Sequence, residues 1–209
     1  MVLDKKIILA GYSGHAIALA DVALNNKLNI IGYTEKNSKK NNPYNFSYLG
    51  DENNDDFFGW SENEIAFLIG IGDNVIRDKI FKLILSKKKE ILKLISSNAL
   101  ISKSSIIGQG TFVNNNVSVN ALAQIGDNVI LNTGCIVEHE CVISDSVHIA
   151  PGAVLAGNVT VGKRTFIGSN SVIKNGIYIG KDVIVGAGCV VINDISDGEK
   201  IVGNPGRSI

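Results

Sequence analysis

The sequence predicts two structural classes in one chain: a small doubly wound, Rossmann-like α/β unit over residues 1–96, then a parallel β-helix over 97–194 and a short tail over 195–209. Two observations carry this. An aliphatic residue returns at every sixth place from Ile101 to Val191, so that residues 99–194 divide into sixteen blocks whose third place is always Ile, Val or Leu. The stretch before it alternates short apolar runs with segments of helical period, and the runs ending at Ala10 and Ile71 each lead into a glycine turn.

A period of six fits neither a helix nor a plain hairpin sheet, but it fits a short strand and a turn, repeated. Places one and three of a block point the same way on a strand, so both line the interior. Gly, Asn, Asp and Ser crowd places four to six, where the chain must turn and some φ angles become positive. Three blocks make one triangular coil of about 18 residues, and the blocks add up to a little over five stacked coils. Periodicity leaves the hand of the coil open.

Along the first unit, Lys6–Ala10 reads as a buried strand, Gly11 to His15 as a turn, and residues 16–25 as a helix. A second strand follows at 28–33, and 35–60 is a polar loop rich in Asn and Lys. The third strand, 66–71, ends in Gly72-Asp73-Asn74, and a helix over 74–89 presents Val75, Ile76, Ile80, Leu83 and Ile84 as its apolar face. One last strand, 91–96, leads into the β-helix. The glycine turns at Gly11 and Gly72 fall at the carboxyl edge of a parallel sheet, where ligands bind in such units. The first turn holds only Gly11 and Gly14 of a dinucleotide fingerprint, so phosphate binding and a plain tight turn both fit it.

Lysine plus arginine equals aspartate plus glutamate at 20 each, so no net charge points to nucleic acid or an anionic membrane. No apolar stretch approaches the length of a membrane span or a secretory leader, which predicts a cytoplasmic protein. Cys135, Cys141 and Cys189 all take the inward first place of a block, which predicts packed thiols and no disulfide framework.

The β-helix holds two of the three histidines, His139 and His148. His139 stands at a corner between Glu138 and Glu140, and a carboxylate beside a histidine orients the ring and stabilises its imidazolium, as a general base requires. A solvated corner pair is the competing reading. His148, at place two, is expected on an outward strand face. A zinc site of His139, Glu140, Cys141 and His148 is disfavoured, because Cys141 points inward while the others point out and no metal-ligand spacing is present. No metal is expected.

The run from Leu131 to Ile143, LNTGCIVEHECVI, with His148 after it, resembles bacterial nucleotide-sugar acyltransferases of the bacillosamine (PglD) and sialic acid O-acetyltransferase (NeuD) type, members of the hexapeptide acyltransferases. So do Gly-Tyr-Ser-Gly-His at 11–15, the segment Ile71 to Arg77, Ala-Gly-Asn-Val at 156–159 and the closing Gly-Asn-Pro-Gly-Arg. The resemblance spans the chain and implies a left-handed β-helix, acetyl-CoA as co-substrate and a homotrimer. It implies His139 as base with Glu140 as its partner. It places His148, Ala156, Gly157, Gly186, Ala187, Pro205 and Arg207 along acetyl-CoA, although Gly206-Arg207 replaces the more usual Ala-Lys. It places Gly11, Ser13, Gly14, His15, Glu35, Gly72, Asp73 and Asn132 around the nucleotide sugar, although Asp73 stands where related enzymes often carry Asn.

The function expected from this is acetyl transfer from acetyl-CoA to the 4-amino group of a nucleotide-linked 4-amino-4,6-dideoxy sugar, in glycan or O-antigen synthesis. The alternatives are an O-acetyltransferase acting on sialic acid or a related sugar, and a non-catalytic trimeric scaffold. A glycine loop does not tell uracil, thymine and guanine apart.

Overall fold

The computed structural model describes residues 5–209, which fall into two compact units divided between Leu94 and Ile95. In the first, strands β1 (Lys6–Ala10), β2 (Asn29–Thr34), β3 (Ile65–Ile69) and β4 (Glu90–Ile91) form a parallel sheet in the order β2-β1-β3-β4. The chain steps outward from β1 to β2 and returns across β1 to β3, so the switch point lies between β1 and β3. The loops after these two strands meet there. The Gly70 amide donates to the Ala10 carbonyl, and a Cβ on Gly70 would stand 2.5 Å from the Gly11 carbonyl oxygen and from the Cβ of Ala16. Only glycine permits that approach.

Helix α1 (Gly14–Asn25) begins two residues earlier than the sequence suggests, and α2 (Asn74–Ser86) stops before the basic run at 87–89. Helix α2 buries Ile80, Phe81 and Ile84 against Ile8, Ala10, Phe67 and Ile69 of the sheet. Its face is rotated from the expected one. Val75 and Ile76 are 64% and 53% exposed, while Arg77 takes the buried position one turn before Ile80, Phe81 and Ile84. Among the described residues no helix is long and apolar enough to cross a membrane.

The second unit is a left-handed parallel β-helix of about 6 turns. Its two-residue strands stack in three sheets with a return of 18 residues, as in Ile130↔His148 and Leu131↔Ile149. Third-place aliphatics and first-place small residues, the three cysteines among them, form one continuous interior. Burial pushes the Cys135 thiol up to about 12, so it packs as an inert small apolar group. The sixth place is left-handed in fourteen successive blocks, from Gly110 to Gly188, with φ between 55° and 73°. Gly, Asn, Asp and Ser supply most of these at little cost, whereas Leu122, Glu140 and Arg164 do not.

Two boundaries differ from the sequence reading. The single strand expected at 91–96 is two, Glu90–Ile91 in the first sheet and Leu94–Ile95 at the start of the β-helix. The coil also continues past Asp194 instead of giving way to a tail. Ile195 bridges Ile179 and Lys200 pairs with Ile184, a return of 16 residues that hides the last coil from a six-residue count. Arg207–Ser208 then folds back antiparallel on Lys200–Val202.

Candidate active site

The corner that carries His139 turns through Glu140, whose φ is +60°. This conformation swings the carboxylate alongside the preceding ring, and His139 Nδ1 lies 3.0 Å from Glu140 Oε2. A carboxylate only accepts, so Nδ1 carries a proton, and in the neutral ring the lone pair lies on Nε2. The ring, 59% exposed, leans over the next coil, where a Cβ on Gly157 would stand 2.5 Å from Nε2 and Cε1. The His139 backbone is fixed as well: its carbonyl accepts from Asn158 N at 2.9 Å, and its amide faces Glu138 Oε2 at 3.4 Å. Glu140 also borders a groove of about 380 Å³ with Ser104, Ile106, Leu122 and Gln124. Ser104 and Leu122 precede Glu140 on the same corner of the prism, one coil apart.

His148 is not on an exposed face. It is 9% accessible, its ring meets Phe166 edge-on at 5.0 Å, and Nε2 lies 3.2 Å from Asn132 Nδ2. The six-residue period gives the direction of a side chain but not what covers it. Asn132 sits at the next corner before His139, on the column that also carries Gly186 and Ala187, whereas Ala156 and Gly157 share the corner of His139. One chain therefore spreads the expected coenzyme residues over two corners. Gly186 donates to Ile201 O at 2.7 Å, a Cβ on it would stand 2.9 Å from Val202 Cγ1, and the Gly206 amide donates to Val190 O at 2.8 Å. Pro205 and Arg207 flank that glycine in the closing turn. Among the described residues no three His, Cys, Asp or Glu side chains cluster to hold a metal.

In the first unit, Gly11 adopts φ +86° and donates to Thr34 O, and a Cβ on it would strike Ile71. Ser13 caps α1 through its backbone only: its carbonyl accepts from Ile17 N at 3.1 Å and its hydroxyl makes no cap hydrogen bond. Glu35 Oε1 accepts the Tyr12 amide at 2.9 Å and pairs with Lys39 at 3.2 Å. Across the switch point, a Cβ on Gly72 would stand 3.5 Å from the Cβ of His15. Burial, and then the nearby Arg77, push the His15 pKa down to about 4. Asp73 uses its carboxylate as the cap of α2, accepting from Val75 N at 3.0 Å and Ile76 N at 2.8 Å.

Residues 6–84 match the PglD N-terminal domain, and residues 140–175 and 158–193 match the bacterial transferase hexapeptide repeats. The chain thus joins a PglD-type N-terminal domain to a run of hexapeptide repeats. The acetyltransferase domain of PglB from Neisseria gonorrhoeae FA1090, solved with acetyl coenzyme A, aligns at 29% identity over 98% of this chain and 99% of that one, with a TM-score of 0.91. PerB from Caulobacter crescentus, in complex with CoA and GDP-perosamine, aligns at 29% identity over 99% of this chain and 98% of that one, also at 0.91. WeeI from Acinetobacter baumannii AYE aligns at 27% identity over 97% of this chain and 99% of that one, at 0.88.

One residue whose role the sequence does not announce is Arg77. It is 1% exposed, and its Nη1 donates to the carbonyls of Gly72 at 2.9 Å and Ile71 at 3.4 Å. It ties down the loop that follows β3. The helical spacing Arg77, Ile80, Phe81, Ile84 is the signal that would have found it.

Proposed function

We propose that this chain transfers the acetyl group of acetyl-CoA to the amino group of a nucleotide-linked 4-amino-4,6-dideoxy sugar, in the cytoplasm and as a homotrimer, with His139 as general base. The observation that carries this reading is the His139–Glu140 pair, held on a corner with Nδ1 toward the carboxylate and Nε2 over a residue that has no side chain. The solved relatives with CoA and GDP-perosamine, or with acetyl coenzyme A, support the substrate class.

The chemistry follows from the geometry. As the sugar amine attacks the thioester carbon, Nε2 of His139 takes its proton, while Nδ1–H stays hydrogen-bonded to Glu140, which stabilises the imidazolium. A backbone N–H of a coil turn meets the oxyanion. The imidazolium then returns the proton to the departing thiolate, so no acyl-enzyme forms. Acetyl-CoA would run along the later coils past Ala156, Gly157, Gly186 and Ala187 to the turn at 205–207. The acceptor sugar would enter from the earlier coils, along the groove at Ser104, Leu122 and Glu140. In the first unit, Gly11, Ser13, Gly14, His15, Glu35 and Gly72 form a candidate nucleotide subsite.

The split of the coenzyme residues between two corners supports a trimer, in which a corner of one protomer faces a different corner of its neighbour. The outward residues Leu100, Ile136, Val154, Val172 and Val190 of one sheet give such an assembly an aliphatic face to bury.

The test is thiol release from acetyl-CoA with UDP-, dTDP- and GDP-linked 4-amino-4,6-dideoxy sugars and with free sialic acid, beside His139→Ala. One amino sugar should support release, and the variant should lower kcat about 10²- to 10⁴-fold. Wild-type turnover in the variant would remove His139 as base, and release with sialic acid alone would make the chain an O-acetyltransferase.

A further inference from the structure

We propose that Asn114 and Asn132 form a one-directional hydrogen-bond chain that holds His148 as its neutral, Nδ1-protonated tautomer, with Asn114 as a positioning residue remote from the reacting atoms. The functional half of this rests on the acetyl-transfer reading, but the tautomer itself does not.

Backbone amides fix the direction of the chain. A backbone N–H can only donate, so the side-chain atom it meets must be an oxygen. Asn115 N lies 2.7 Å from Asn114 Oδ1, which turns the Asn114 amide nitrogen away, toward Asn132 Oδ1 at 3.0 Å and Thr133 Oγ1 at 2.9 Å. Thr133 N lies 2.8 Å from Asn132 Oδ1, which fixes the second amide in the same sense. Asn132 Nδ2 is thereby the atom that faces His148 Nε2 at 3.2 Å. It brings a hydrogen, so Nε2 must accept, and the ring proton of a neutral His148 sits on Nδ1.

The 18-residue return builds this arrangement. Asn114 and Asn132 occupy the same corner on successive coils, with Leu131 paired to Val113 and His148 paired to Ile130 in the adjoining sheet. Asn114 is 4% exposed and Phe166 stands edge-on to the His148 ring, so neither side chain is free to turn.

Two consequences follow for the reaction. His148 spends the lone pair of Nε2 on Asn132 and does not act as a second base, so proton transfer falls to His139 alone. Asn132, with its oxygen engaged by Thr133 and Asn114, keeps one N–H to offer a carbonyl or phosphate oxygen of the coenzyme.

The test is nitrogen NMR of the full chain with labelled histidine. Only three histidines occur, so comparison with His15→Gln and His139→Ala assigns every ring. Near pH 7 the expected His148 signature is a pyridine-type Nε2 and a pyrrole-type Nδ1. Asn132→Asp should invert it, because an aspartate offers His148 only acceptors. A wild-type ring protonated at Nε2, or an aspartate variant with the tautomer unchanged, overturns the proposal. In turnover, Asn114→Ala should raise KM for acetyl-CoA about fivefold, the loss of one orienting hydrogen bond, at nearly constant kcat. A fall in kcat with a shifted pH profile would instead make His148 a base. If no amino sugar is turned over at all, the acetyl-transfer reading fails while the spectra still decide the tautomer.

Discussion

The imidazole of His139 rests on the α-carbon of Gly157, so closely that a Cβ there would stand 2.5 Å from Nε2 and Cε1. Gly157→Ala must therefore push the ring off its seat and away from Glu140. The expected outcome is a loss in kcat of about 10²-fold, typical of a catalytic group misplaced by about 1 Å. Thermal unfolding should be nearly unchanged, because the ring can move into solvent. A fully active alanine variant would show that the seat of the ring is unimportant.

Glu140 holds a left-handed backbone that costs a residue with a Cβ about 1 kcal/mol. Glu140→Gly should therefore be neutral or stabilising by up to about 1 kcal/mol, less the entropy of glycine in the unfolded chain. It should also lower kcat at least about tenfold by removing the partner of Nδ1. Glu140→Gln keeps the strain and should lose activity without the gain in stability. Melting curves and initial rates for the two variants separate strain from chemistry.

His15 supplies a pH signature. Its folded pKa of about 4 lies below the ordinary 6.5, so the unfolded chain binds more protons between these values. The first unit is thus at full stability above about pH 6.5 and loses it as the pH falls toward 4, by on the order of 3 kcal/mol. His15→Gln should flatten that slope. An unaltered slope in denaturant titrations at several pH values would assign it to other groups.

Arg77→Met removes the guanidinium that satisfies the Gly72 and Ile71 carbonyls. With these half-buried acceptors stranded, a destabilisation of about 1–3 kcal/mol is expected. KM for the nucleotide sugar should rise while KM for acetyl-CoA stays constant. Arg77→Lys, with a longer reach than methionine's thioether for a carbonyl but no planar fork, should recover part of the loss. Equal changes in both KM values would contradict a role confined to the loop after β3.

The β-helix was legible because its interior demands one aliphatic residue per strand, and the pairing of His139 with Glu140 because the two are sequence neighbours. Other features needed the third dimension. Gly157 follows His139 by one 18-residue return, so the register names it as a neighbour, but only coordinates reveal the ring lying on it. Arg77 escaped because a charge on a helix is read as exposed, and Val75 and Ile76 were given to the core for the opposite reason. The concealment of His148 depends on Phe166 and Asn132, which come from other coils.

The shortened final return and the antiparallel strand at Arg207–Ser208 bear on how the molecule behaves in a crowded solution. A solenoid ending on a regular coil would present bare strand edges in register with the first coil of another molecule, an invitation to grow end to end into a fibre. Here the closing segment reverses direction and presents an antiparallel strand with a charged Arg207 where the next coil would dock. A reversed strand out of register with the coils is a stop against such growth.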